Sequence, residues 1–385
     1  MKRFIRLAVS AGAVLGLSAL LAPVAAGADG VPQGGPSFEG GAGHAVFVQT
    51  DNTGGNQVVA YNRAENGALS LAATYNTGGL GGVLNGSVVD HTASQGALAY
   101  GQRDGSLYAV NAGSNSVSVF SVHGDQLSLR QVVSSGGVFP VSVAVHGGLV
   151  YVLNAENGGS VQGYITVFGR LYPLPGSSRS LGLTIPTDAS QFTHTPGQVA
   201  FSPDGSQLIV TTKGSTNAVD VFHVGFFGEL SPTPVVNSEP GALPFAVTFD
   251  TAGNLVVADT GIGSVVTYRL GVNGTVTELD AVASTQAATC WIAPAGGYFY
   301  SSNAGSATVS GYGESPVGQL TLLGQTATDP GTVDASASTG GQFLYVQTGA
   351  NGIVDEFDVN ANGTLTGIGS VTVAGAVGGE GIVAF

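Results

Sequence analysis

The sequence predicts an all-β chain, a seven-bladed β-propeller with four antiparallel strands per blade, and three observations predict it. First, an alternating stretch ending in an aromatic recurs seven times, closing at Tyr61, Phe120, Tyr164, Phe222, Tyr268, Tyr312 and Phe357. The separations are 59, 44, 58, 46, 44 and 45 residues, a unit with two enlarged copies, and four short strands per unit give that period. Second, period-two alternation rich in Val, Thr, Tyr and Phe, cut by glycine turns, runs through the chain, with no sustained helical period beyond its start. Third, the carboxyl-terminal GGEGIVAF (378–385) resembles PGQVAF and PFAVTF, the inner strands of other units, while the first unit lacks such a strand. Pairing the last strand into the first blade removes two open sheet edges, so the final seven residues are expected to be ordered and buried.

Taken in order, residues 1–28 read as an export signal: Lys2, Arg3 and Arg6, then an apolar run from Leu7 to Leu21, then Ala26-Gly27-Ala28 with cleavage after Ala28. Residues 29–43 read as a Gly-rich linker and 44–385 as the propeller. Its blades fall at about 44–79 plus 378–385, 95–137, 139–181, 195–241, 243–286, 287–331 and 332–377. No later segment is apolar for long enough to span a membrane, so the expectation is a secreted, extracellular protein.

Composition excludes several classes. The 385 residues carry 62 Gly, 43% hydrophobic and only 9% charged residues, the reverse of a disordered chain. Ten basic against 24 acidic residues give a net charge of −14. Loss of Lys2, Arg3 and Arg6 would take it to −17, which argues against nucleic acid as a partner and, with small polar turns, for a monomer. A lone Cys290 excludes a disulfide framework and a Cys-based zinc site. The turn DVNANG (358–363) opens like a calcium loop, but Gly369 stands where a bidentate Glu is needed. No metal site and no cofactor are expected.

With the strands of a blade ordered from the axis outward, the connections between blades and the turns between second and third strands share one face. Both enlarged units place their extra residues in such connections, 76–94 and 172–195, and long loops of this kind are often functional. His91 and His194 fall in them, Arg179 lies in the second, and Lys213 lies in a turn of the same face. Gln95, Ser142, Gln198, Glu380 and, slightly deeper, Asp334 are expected to face the channel. The candidate catalytic residues are therefore His91, His194 and Glu380, and the candidate substrate-binding residues Gln95, Arg179, Gln198, Lys213 and Asp334. A neutral His can activate water, and Arg179 or Lys213 can steady an oxyanion.

The runs HTPGQVAFSPDGSQLIVTTKGSTNAVDVF (194–222), SQGALAYGQRDGSLYAVNAGSNSVSVF (94–120) and GGLVYVLNAENGGSVQGY (147–164) resemble the lactonase-type seven-bladed propellers. That group includes the propeller-type 6-phosphogluconolactonases and the fungal 3-carboxy-cis,cis-muconate lactonising enzymes. The resemblance implies a channel-mouth site in which His, Arg and Glu handle a lactone. The chain departs from it at Gln198 and at Val247 or Thr248, where phosphogluconolactonases tend to carry His. Two functional readings follow: a secreted lactonase-like propeller hydrolysing or isomerising a small lactone, or a non-catalytic extracellular propeller that binds a ligand or partner at the same mouth.

Overall fold

The computed structural model describes residues 43–385; the export signal, its cleavage site and residues 29–42 of the linker lie outside the described residues. Seven antiparallel sheets follow one another, six of four strands and one of five. The innermost strands of blades two to seven are Leu98–Gly101, Pro140–His146, Gln198–Phe201, Pro244–Phe249, Thr289–Ala295 and Thr332–Ala337. Blade one is Ala45–Gln49, Gln57–Arg63 and Leu69–Asn76, and its innermost strand is Ile382–Ala384 from the other end of the chain.

That strand closes the ring as the sequence predicts, with Val48 opposite Ile382 and Val46 opposite Ala384. Phe385 then meets Phe47 and Tyr100 edge-on at 6.0 and 4.6 Å. Burial is less complete than expected: residues 378–381 form a loop, and Val383, Ala384 and Phe385 are half-buried. Both faces of this strand do pack, Val383 and Phe385 against Phe47 and Leu98 and Ala384 against Val46 and Phe343, but the strand is paired along one edge only.

The recurrent aromatic of each unit is buried in every blade. In five blades the ladder between third and fourth strands shifts register at that residue: Ala60/Tyr61, Val119/Phe120, Thr267/Tyr268, Gly311/Tyr312 and Glu356/Phe357. A bulge increases local twist, which turns the outer strand while the ring packs against the neighbouring blade. Tyrosines of the second strands stitch consecutive blades. Tyr151, Tyr300 and Tyr345 donate to the carbonyls of Gly228, Gly363 and Gly67 at 2.6, 3.0 and 2.7 Å, the last joining blade seven to blade one. These turn glycines have φ of +89°, +79° and +88°, a region that L side chains avoid.

Two departures concern the enlarged units. The fourth strand of blade three is split into Arg170–Pro173 and Arg179–Ser180, both paired with Ser160–Val167, so 172–195 is not one continuous loop. One-turn helices occur at Gln191–His194 and Lys213–Thr216, too short to leave a helical period in the sequence. No helix among the described residues is long and apolar enough to cross a membrane.

Candidate functional site at the channel mouth

The connection between blades one and two (77–97) crosses the channel. Trp291 in the innermost strand of blade six donates its indole N–H to the Ser94 carbonyl at 2.6 Å. Gln95 pairs with the Ile292 backbone twice, donating to its carbonyl and accepting from its N–H, both at 3.0 Å. The second inserted connection (181–197) docks on the first: the Asn85 N–H donates to Gln191 Oε1 at 2.7 Å, and Asn85 Nδ2 to the Thr187 carbonyl at 3.0 Å.

Lys213 pins both. Its ammonium donates to the carbonyls of Ala93 and Phe192, each at 2.6 Å, and to Thr195 Oγ1 at 2.9 Å, with the Phe245 ring 5.1 Å away. The side chain is buried, and this desolvation brings its pKa down from 10.5 to about 7 against the opposing pull of Asp90.

Beneath the loops lies a set of buried carboxyls. Glu380 Oε1 accepts from the Gly96 and Ala97 N–H groups at 2.7 and 3.3 Å, and Oε2 takes longer hydrogen bonds from Thr92 and Ser94. Asp90 accepts from the Thr92 and Ser94 N–H groups at 2.8 and 2.9 Å. Burial raises Asp90, Asp334 and Glu380 above the usual carboxylate range, and Asp334 and Asp90 add repulsion at Glu380. Asp90 and Asp51 were missed by the sequence reading. Asp90 adjoins His91 in the chain and was a visible signal, whereas Asp51 becomes relevant only through tertiary contact.

The two histidines part company. His91 Nδ1 lies 3.7 Å from Asp51 Oδ2, with the Asp fully buried and the His side chain 22% exposed. At that separation the pair is not hydrogen-bonded, and among the described residues neither atom has any hydrogen-bond partner. Nε2 lies against Gly378, whose bareness makes room for the ring. Burial, with Asp90 adding to it, raises Asp51 well above the ordinary range. His194 instead turns Nδ1 into its own helical turn, at 2.9 Å from the Ser190 carbonyl and 3.0 Å from Thr193 Oγ1. Among the described residues no hydrogen bond or ion pair joins His91 to His194.

The expected binding residues divide in the same way. Arg179 is on the outer edge of blade three rather than at the mouth. It donates to the carbonyls of Gly176, Ser178 and Ser231 at 2.7, 2.8 and 2.8 Å, and also to Leu230. Split pairing of the outermost strand draws it there. Gln198 Oε1 accepts the Val247 N–H at 2.7 Å, tying blade four to blade five. Gln95, Gln198, Lys213 and Glu380 thus spend their polar atoms on the protein itself. Cys290 is buried beside Lys213 and its thiol is pushed up to about 12 by desolvation, which leaves no nucleophilic thiolate. Among the described residues no three His, Cys, Asp or Glu come together as a metal-ligand set.

Neither a family model nor a curated protein matches the sequence. Solved structures do. A candidate 6-phosphogluconolactonase of Bacteroides fragilis is similar at 20% identity with a TM-score of 0.68, covering 89% of this chain and 98% of that one. The periplasmic gluconolactonase of Pseudomonas aeruginosa is similar at 17% identity and a TM-score of 0.68, over 88% and 98%. A Lactobacillus plantarum protein is similar at 18% identity and a TM-score of 0.70, over 88% and 98%. At these identities the likeness is one of architecture: the chain has the fold of the lactonase-type seven-bladed β-propellers.

Proposed function

We propose that the protein is an exported lactone hydrolase in which His91, backed by Asp51, takes a proton from water at the channel mouth. The observation that carries this reading is the isolated His91–Asp51 pair, 3.7 Å apart at the edge of the inserted loops, with an imidazole that keeps contact with solvent. Asp51 behind one ring nitrogen orients the imidazole, and its carboxyl, which burial holds towards the neutral form, can ionise as the imidazolium forms beside it and stabilise that charge. The other nitrogen accepts the proton as water adds to the lactone carbonyl. The ring C–O bond then breaks and the proton returns to the departing alkoxide, giving a hydroxy acid. Such a base contributes about 10²–10⁴ in rate. The gluconolactonase among the similar folds supports the reading by analogy only, and export rests on residues 1–28.

The test is hydrolysis of a panel of five- and six-membered lactones, gluconolactone included, above the spontaneous rate. His91→Gln is expected to lose about 10²–10⁴ of the rate with its melting temperature kept. His194→Gln is expected to change the rate less than tenfold. Equal rates in wild type and His91→Gln would remove His91 from the mechanism, and no turnover at all would remove the enzyme reading. A second reading, a propeller that binds a ligand without turnover, is favoured by the internal satisfaction of Lys213, Gln95, Gln198 and Glu380. Saturable lactone binding without hydrolysis would establish it.

A further inference from the structure

The face opposite the inserted loops carries a cleft of about 800 Å³ across the base of blade six, walled by blades five and seven. This volume falls in the range of small-molecule sites. Its wall combines the rings of Phe249 and Tyr298, hydroxyls such as Ser315 and Ser338, and the carboxyls of Asp250 and Glu314. No Lys, Arg or His lines it, so a phosphate or carboxylate ligand would meet only like charge.

The two acids are not equivalent. Asp250 is committed to its own turn, accepting from the Ala252 and Asn254 N–H groups at 2.8 and 2.7 Å and from Asn254 Nδ2 at 2.6 Å. Glu314 Oε1 has no hydrogen-bond partner of its own, and burial together with the adjacent Asp250 carboxyl raises the group from 4.5 to about 7, so near neutrality it can meet a ligand hydroxyl as acceptor or donor. The partner that fits supplies several hydroxyl donors, carries no negative charge and offers an apolar C–H face to an aromatic ring.

We propose that this cleft is a binding site for a neutral saccharide, its ring face against Tyr298 and Phe249 and its hydroxyls donating to Glu314 and Ser338. The proposal is independent of hydrolysis at the mouth, because none of its residues belongs to the inserted loops.

The test is saturation-transfer NMR and calorimetry on the full chain with glucose, maltose and cellobiose, and with gluconate and glucosamine as charged counterparts. At least one neutral sugar is expected to bind, with affinity at least tenfold weaker in Glu314→Ala and in Tyr298→Leu. Both variants should keep the wild-type melting temperature, and His91→Gln should bind as wild type does. No binding of any neutral sugar overturns the proposal, as does binding that survives both cleft substitutions or is matched by gluconate. Glucosamine binding more than tenfold tighter than glucose would reassign the cleft to an organic cation and overturn the saccharide assignment.

Discussion

Asp259 should make this protein less stable as pH rises. It ends the second strand of blade five (Leu255–Asp259), fully buried, and its Oδ2 accepts the Tyr268 hydroxyl at 2.8 Å while Oδ1 has no partner. Burial pushes the carboxyl from 3.8 up to about 7; the Tyr268 hydrogen bond opposes this, and Glu239 and Glu278 add to it. In the unfolded chain the group ionises near 3.8. Between there and about 7 the folded protein therefore holds a proton that the unfolded chain has released. The stabilisation is present below pH 4 and is lost as pH climbs through 7, an effect of about 4 kcal/mol at about 1.4 kcal/mol per pH unit.

Asp259→Asn keeps the shape and removes the ionisation. Its amide places a donor where the unpartnered oxygen stood, at a cost of about 1–2 kcal/mol. The variant should be less stable than wild type by about 1–2 kcal/mol at pH 4 and more stable by about 2–3 kcal/mol at pH 8. Urea unfolding of both proteins at pH 4, 6 and 8 measures this, and the difference between them cancels the other buried carboxyls. An unchanged difference between pH 4 and pH 8 would refute the reasoning.

Two further predictions concern the ring and its loops. Deleting residues 382–385 removes the strand paired to Ala45–Gln49, the edge-on contacts of Phe385 and its carbonyl bond from Arg63 Nε at 3.0 Å. The truncated chain should melt at least about 10 °C lower or fail to fold, and an unchanged melting curve would disprove closure by this strand. Lys213→Met leaves two buried carbonyls and a hydroxyl without their shared donor, so amide exchange across 77–97 and 181–197 should quicken at least tenfold, by about 1.4 kcal/mol or more. Exchange unchanged in both segments would show that Lys213 does not hold them.

The seven aromatics, the glycine turns after them and the GGEGIVAF tail make the ring legible in the sequence, because alternation and turn chemistry act within a few residues. They also showed which connections were enlarged. The same sequence gave no sign that Arg179 would sit at an outer edge, since that follows from a break in the strand carrying it. Asp51 was equally hidden, lying some forty positions from His91 in a turn with no local signature.

Whether a polar side chain is free for chemistry depends on who satisfies it, and those partners are remote in the chain. Lys213 meets Ala93 across 120 positions, Gln95 meets Ile292 across 197, and Glu380 meets Gly96 across 284. Periodicity along the chain determined the circular framework. Only the folded ring decided that most polar groups at its mouth are consumed as fastenings, that His91 keeps Asp51 behind it, and that a cleft of about 800 Å³ opens on the other face. Strand pattern is set by near neighbours, whereas desolvation and hydrogen-bond satisfaction are set by whatever the closed ring brings alongside.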